Sequence, residues 1–218
     1  MFGKYWDPGH VKTRLAATIG DQAAAGIYRE FLGHLSRVFA GVADRRVLSF
    51  SPSSARSAFE KLAGDAWELR PQSTGNLGQR LRHHFQRAQA TGVTRCLVIG
   101  SDSPNLPPAY VERAWQLLDS SPVVLGPADD GGYYLIGFAH CLPDVFTNID
   151  WGSNQVWQQT TRQLELQDLR FATLPTWYDV DDEDSLERLL AQLAESSKPA
   201  EQRLGATIRQ ILDTRLGA

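Results

Sequence analysis

The run Cys96-Leu97-Val98-Ile99-Gly100-Ser101-Asp102-Ser103-Pro104 sets the terms on which this chain can fold. A short apolar run ends abruptly in a glycine, an aspartate and a proline. That is the length and composition of a buried strand. A helix pattern follows from Pro107 or Pro108, residues suited to a first helical turn. In an open α/β sheet, ligands bind in the crevice past the carboxyl ends of the strands. A carboxylate at such a place is a natural ligand for a hard cation such as Mg²⁺, which prefers oxygen and phosphate neighbours. Asp102 is also placed to cap the next helix, and on position alone the cap is the slightly better reading.

The rest of the chain repeats the strand-then-helix rhythm. Residues 21–39 place Ala24, Ile27, Tyr28, Phe31, Leu32, Leu35, Val38 and Phe39 on one helical face. Strands are predicted over 46–50 and 66–69, with a helix over 54–62 between them. Leu77, Leu81, Phe85 and Ala88 mark a helix before Gly92, and Val111, Ala114, Trp115 and Leu118 the buried stripe of another. Residues 122–126 and 133–138 read as two strands around the turn Ala128-Asp129-Asp130-Gly131-Gly132. A helix over 153–166, a strand over 170–174 and a helix through Leu186, Leu189, Leu190 and Leu193 follow. Ser196-Ser197-Lys198-Pro199 breaks that helix, and a last one over 200–216 carries Leu204, Ile208, Ile211 and Leu212. Alternation of this kind argues an α/β fold with a mostly parallel sheet and helices on both faces. The strand pair around residue 130 adds an antiparallel member, so the sheet is expected to be mixed. The whole of 1–218 is expected to form one domain.

Composition narrows the function classes. The 218 residues carry a formal net charge of −3, and nothing advertises nucleic-acid binding. Hydrophobic residues are 42% and charged residues 22%, ordinary for a globular protein. No apolar run approaches the length of a membrane span, and no signal-peptide pattern opens the chain, so a cytoplasmic protein is expected. Cys96 and Cys141 do not make a disulfide framework, and Cys96 reads as a small core residue. The sequence is compatible with a homodimer and carries no signal for or against one.

Three polar segments hold candidate chemistry. In Pro8-Gly9-His10-Val11-Lys12-Thr13-Arg14, a turn with open amides, two cations and a hydroxyl precedes a helix. Such a loop can cradle phosphates, although it lacks the spacing of a Walker loop, and taken alone it reads better as a solvated basic turn. In Asp129-Asp130-Gly131-Gly132, two carboxylates sit beside two glycines that let backbone pass close to a ligand; a plain hairpin turn reads equally well. In Tyr178-Asp179-Val180-Asp181-Asp182-Glu183-Asp184, acids enrich the start of a helix. Asp179 and Asp181 lie two apart in an extended stretch and share one face.

Taken in order, these segments resemble small bacterial GT-A-like transferases, often labelled glycosyltransferases of arsenosugar or selenium-associated pathways. The likeness rests on Phe2-Gly3-Lys4 with Pro8-Gly9-His10-Val11-Lys12-Thr13-Arg14-Leu15, and on Gly75-Asn76-Leu77-Gly78-Gln79-Arg80, where Asn76 replaces the usual Asp. It continues in Gly100-Ser101-Asp102-Ser103-Pro104, in Asp130-Gly131-Gly132-Tyr133-Tyr134-Leu135-Ile136-Gly137, in Ile149-Asp150-Trp151-Gly152-Ser153 and in Asp179-Val180-Asp181. The resemblance implies a nucleotide-diphospho-sugar transferase fold, shared with guanylyl- and cytidylyltransferases. It implies that Lys12, Thr13, Arg14, Gly75, Gly78 and Arg80 hold nucleotide phosphates. Asp102 and Asp181, with Asp179 as fallback, would bind Mg²⁺ or Mn²⁺. Asp129, Gly131, Gly132 and Trp151 would face the acceptor or sugar, and Lys12 and Asp130 are the candidate catalytic residues. Two departures stand out. Only Met1 and Phe2 occupy the place where the family carries an apolar first strand, and Asp181-Asp182-Glu183-Asp184-Ser185-Leu186 lacks the usual helix-starting Pro.

The function expected from this resemblance is transfer of a sugar from a nucleotide-diphosphate donor to a small acceptor, assisted by a metal that neutralises the leaving diphosphate. Nucleotidyl transfer from an NTP, releasing pyrophosphate, is the alternative within the same fold. A non-catalytic nucleotide-binding protein is the third reading, since fold does not fix function.

Overall fold

The computed structural model describes residues 1–140 and 142–216, so the expectation for Cys141 lies outside the described residues. In chain order the elements of its first half are β1 (Phe2–Lys4), α1 (Thr13–Ile19), α2 (Asp21–Val38), β2 (Val47–Ser51), α3 (Arg56–Ala63), β3 (Glu68–Pro71), α4 (Leu77–Ala90) and β4 (Arg95–Ile99). The second half carries α5 (Pro108–Leu117), β5 (Val123–Pro127), β6 (Tyr133–Ala139), α6 (Val156–Leu166), β7 (Phe171–Thr173), α7 (Glu183–Glu195) and α8 (Pro199–Leu216). The α/β class and its mixture of parallel and antiparallel pairs are as the alternation predicts; the strands are hydrogen-bonded in two sheets. Contacts divide the chain into two compact units, the first made of Met1–Pro71, Ser101–Asn105 and Asp179–Ala218, the second of Gln72–Gly100 and Leu106–Tyr178.

The first unit holds a parallel sheet in the order β1-β2-β3. The first strand is short, as its sparse apolar residues predict, yet it pairs in full: Phe2 lies opposite Ser49 and Lys4 opposite Ser51. The Met1 amino group donates to the Val47 carbonyl at 2.8 Å, extending the pairing by one residue. Gly20, at φ 84°, separates α1 from α2, a left-handed junction that glycine adopts without steric cost. The helix α1 escapes sequence reading because seven residues are too few to show a period; Leu15, Ala16 and Ile19 are its buried side. The long helix α2 packs against α1 and α8, and α7 packs against α8. Leu15, Ile27, Phe31, Phe39, Phe50 and Phe59 are fully buried in this unit, each contributing on the order of 2 kcal/mol of transfer free energy.

The second unit holds a mixed sheet in the order β4-β6-β5-β7. The strand β6 runs antiparallel to β4 and β5, while β5 and β7 are parallel. Gly137 sits in the middle of β6 because there is no room for more: a Cβ there would lie 2.9 Å from Val124 Cγ1 and press on Leu97. On α4, Phe85 meets Phe138 edge to face at 4.8 Å, and Phe138 meets Phe146 at 5.9 Å, the geometry aromatic quadrupoles favour. Asn76 caps α4 through a reciprocal box with Gln79. Two expectations shift. Cys96 is half-buried rather than core, because it lies towards the more exposed start of β4. The helix predicted from Ser153 begins at Val156, because residues 151–155 are spent on turns before it.

Candidate functional site

The first unit gathers one charged cluster from three distant stretches of chain. Lys12 precedes α1 in a left-handed conformation, φ 49° and ψ 44°. A side chain with a Cβ adopts that region at a cost of about 1 kcal/mol. The carbonyl of Lys12 accepts the Ala16 amide at 2.7 Å, so the residue is anchored as the first turn of the helix. Its ammonium donates to Oδ1 of Asp102 in a very short contact, and to Oδ1 of Asp181 at 2.8 Å. Arg14, two residues on, donates to the other oxygen of Asp181 at 2.9 Å.

The exposures give this cluster a direction. The Lys12 side chain is 3% exposed, against 43% for Asp102 and 30% for Asp181. The ammonium is therefore inside and the carboxylates open outward. Behind it stand the rings of Tyr28 and Phe31, with centroids 5.6 and 6.0 Å from Nζ, within the range of cation–π attraction. Burial pulls the Lys12 pKa down, but the charges and hydrogen bonds of Asp102 and Asp181 outweigh it and hold the group well above the ordinary lysine range. The Tyr28 hydroxyl, pushed up to about 12 mainly by burial and then by the Asp102 charge, shares a 2.7 Å hydrogen bond with Ser101 and accepts the Lys4 amide at 3.1 Å.

Both aspartates have fixed backbones. The Val180 amide donates to the Asp102 carbonyl at 2.8 Å, tying the two acidic segments together. The Asp181 amide donates to Ser185 Oγ at 3.0 Å. The Ser103 hydroxyl donates to Asp179 Oδ1 at 2.6 Å, so Asp179 is turned to Ser103 while Asp181 takes Lys12 and Arg14. Asp182 is the cap of α7: it accepts the Ser185 amide at 3.0 Å, and its hydrogen bonds to Ser185 lower its pKa. That box starts the helix without the family's usual proline. Asp102 does not cap α5, which begins at Pro108 behind Pro107 with no side-chain cap. Thr13 is exposed at the start of α1.

The remaining candidates lie in the second unit. Gly75, at φ 102°, opens the loop into α4. Arg80 Nε donates to the Gly75 carbonyl at 2.9 Å and its guanidinium also reaches Gln72 Oε1 at 3.1 Å, so the arginine braces its own loop. Gly78 leaves room for the indole of Trp151, which a Cβ would overlap. Asp130 Oδ1 accepts the Gly132 amide at 2.8 Å, and Gly131 turns at φ 87°. The Asp129 amide donates to the Trp177 carbonyl at 2.9 Å, and both Asp129 and Asp130 are exposed. Thus Lys12, Arg14, Asp102 and Asp181 form one cluster, while Gly75, Gly78, Arg80, Asp129, Asp130, Gly131, Gly132 and Trp151 belong to a separate unit.

Sequence reading missed the support of the cluster. Tyr28 and Phe31 are indistinguishable from core in a helical stripe. Ser101 and Ser103 flank Asp102 at alternate positions, and that alternation was the only signal available.

The donor set fits the cation that the sequence resemblance implies. Two carboxylate oxygens converge on one point, and the Lys12 ammonium marks it as a stand-in cation. Among the described residues no group of three or more His, Cys, Asp or Glu is placed to hold a metal. A pair of carboxylates nonetheless suits Mg²⁺ or Mn²⁺, since Mg²⁺ usually takes one or two carboxylates and completes its shell with water and substrate phosphates.

Residues 35–153, just over half the chain, match the family described as "uncharacterized protein conserved in bacteria (DUF2064)". No curated protein matches the chain. A crystal structure from Desulfovibrio desulfuricans G20, provisionally described as a nucleotide-diphospho-sugar transferase, is 32% identical with a TM-score of 0.89, covering 98% of this chain and 95% of that one. The inositol-1-phosphate CTP transferase of T. maritima is 14% identical with a TM-score of 0.52 over 95% of each chain. Rv0371c of Mycobacterium tuberculosis H37Rv is 18% identical with a TM-score of 0.50, covering 74% of this chain and 84% of that one. The last two share the fold alone. No helix among the described residues is long and apolar enough to cross a membrane. With a family match over half its length and a close structural relative over nearly all of it, the chain belongs to the bacterial family DUF2064, whose fold is that of the nucleotide-diphospho-sugar transferases.

Proposed function

We propose that this protein is a transferase acting on a nucleotide-activated donor, with Lys12, Arg14, Asp102 and Asp181 as its diphosphate site. One observation carries the proposal: a buried ammonium is shared by two outward-opening carboxylates, with a guanidinium on the outer oxygen of one of them. A purely structural salt bridge has no need to leave both carboxylates and the Arg14 fork facing solvent. The provisional description of the Desulfovibrio protein supports the same class of donor.

The chain's own residues supply most of the chemistry. Arg14 is 62% exposed, and its planar fork matches phosphate oxygens in a bidentate fashion. Lys12 offers a second, desolvated positive charge, which is worth more to a developing anion than one in water. Asp102 and Asp181 would hold Mg²⁺ or Mn²⁺, which when bound neutralises the diphosphate leaving group. Within the second unit, Gly75, Gly78 and Arg80 remain proposed phosphate contacts, though Arg80 is already engaged by its own loop. The Asp129–Gly132 turn and Trp151 are the proposed acceptor side, with Asp130 as the group that orients or deprotonates the acceptor hydroxyl. Sugar transfer is the favoured reaction, and nucleotidyl transfer the alternative.

The test is a thermal-shift and calorimetry panel of UDP, CDP, GDP and ADP, with and without Mn²⁺. At least one should stabilise the protein in the presence of Mn²⁺, because a ligand that binds only the native state raises its melting temperature. The gain should vanish in Asp102→Ala. If no nucleotide stabilises the protein, or if Asp102→Ala binds every nucleotide as tightly as the parent, the reading fails. Release of a nucleoside diphosphate from a donor identifies sugar transfer, and release of pyrophosphate identifies nucleotidyl transfer.

A further inference from the structure

Lys12 stands where a metal held by Asp102 and Asp181 would stand. Its Nζ bonds Oδ1 of both carboxylates, and two cations cannot share that point. The backbones of both aspartates are tied down through the Val180 amide and Ser185. The Lys12 backbone is tied into α1 through its carbonyl. What is left to move is the lysine side chain, which has four rotatable bonds and can swing without disturbing the helix.

The charges explain when it would move. The charges of Lys12 and Arg14 balance those of Asp102 and Asp181, and Asp182 lies close enough to feel Arg14 as well. A divalent cation alone would leave those four with two surplus positive charges and a desolvated ammonium stripped of its carboxylates, walled by Tyr28 and Phe31. Breaking a buried charge from its partners is costly unless a new partner is provided. A diphosphate provides one: its oxygens accept the ammonium and cancel the surplus charge in the same event.

We propose that Lys12 is an exchangeable counter-ion, holding the Asp102–Asp181 pair closed to metal in the free protein and transferring to phosphate when a metal and a diphosphate arrive together. The inference rests on the transferase reading and adds a binding order to it: metal and diphosphate bind synergistically, and metal alone binds weakly.

The experiment counts free Mn²⁺ by electron paramagnetic resonance in the full-length protein. Mn²⁺ is titrated alone and with the best-binding nucleoside diphosphate of the UDP, CDP, GDP and ADP panel. In the wild type, the diphosphate should tighten Mn²⁺ binding by about tenfold, within the usual range of coupling between two ligands. In Lys12→Met, Mn²⁺ alone should bind about tenfold more tightly than in the wild type, and the diphosphate should tighten it by a smaller factor than in the wild type. Phosphate oxygens that join the metal's shell couple the two ligands in any case, so the variant decides the matter, and Lys12→Gln takes the place of Lys12→Met if the latter fails to fold. Equal Mn²⁺ affinity with and without the diphosphate in the wild type overturns the exchange. So does a Lys12→Met protein that binds Mn²⁺ alone no better than its parent. Nucleotide binding that persists in either case leaves the transferase reading standing, whereas failure of every nucleotide to bind sinks both.

Discussion

His34 gives the most quantitative handle on the first unit. It lies on the buried side of α2, 3% exposed. Burial, and then the charge of Arg37, lower its pKa from 6.5 to about 4; Lys198 and Arg203 push the same way, and Glu201 opposes them. The folded protein thus keeps His34 neutral where the unfolded chain protonates it. Between about pH 6.5 and about pH 4 the unfolded state binds more protons, so stability falls as pH falls. Going from about pH 7.5 to about pH 5, the two pKa values give a loss of about 2 kcal/mol, rising to about 3 kcal/mol near pH 4. The assay is urea unfolding of the wild type and of His34→Leu at both pH values. Carboxylates that titrate in the same range are common to both proteins and cancel in the double difference. The wild type should lose about 2 kcal/mol more than the variant. An equal loss in the two proteins would refute the assignment of a buried neutral imidazole at this position.

Two further predictions address the support of the charged cluster and the turn of the second unit. Tyr28→Phe should cost about 1–3 kcal/mol, because it strands the buried Ser101 hydroxyl and the Lys4 amide; in a double-mutant cycle with Ser101→Ala by chemical denaturation the losses should be clearly less than additive, and additive losses would show that the bond contributes nothing. Gly131→Ala should cost at least about 2 kcal/mol, since it places a Cβ at φ 87° within 2.7 Å of the Asn154 carbonyl carbon, where backbone cannot give way as a side chain can. For a chain of this size that corresponds to a melting temperature lower by at least about 4 °C, and an unchanged melting curve would contradict it.

The elements that show a clear period or a punctuating residue were legible in the sequence. The stripe from Ala24 to Phe39 announces α2, whose span Asp21–Val38 differs from the prediction by one residue. Pro107 and Pro108 announce the start of α5, and Ser196–Pro199 the break before α8. What could not be read was pairing. Nothing local in 46–50 or 95–99 says which strand each will meet, so the division into two sheets had to come from the structure. The candidate site divides along the same line. Lys12, Arg14, Asp102 and Asp181 were visible as polar residues interrupting apolar patterns. That the ammonium would lie between the carboxylates was not, because it depends on a left-handed turn at a lysine and on segments 90 and 169 positions away. Arg80 has a local role that its sequence does not show: its guanidinium braces the loop through the Gly75 carbonyl and Gln72.

The first unit is stitched from three stretches of chain, 1–71, 101–105 and 179–218. The ribosome delivers Lys12 first, Asp102 90 positions after it and Asp181 169 positions after it. No contiguous amino-terminal fragment ending before residue 179 contains the charged cluster, however well it folds. A prematurely terminated product therefore lacks the diphosphate site proposed for the full chain. Asp102 reaches its partner at Val180 only after the whole second unit has left the peptidyl-transferase centre. The order of translation thereby becomes a check on completeness: the cluster exists only in chains whose synthesis has run past Asp181.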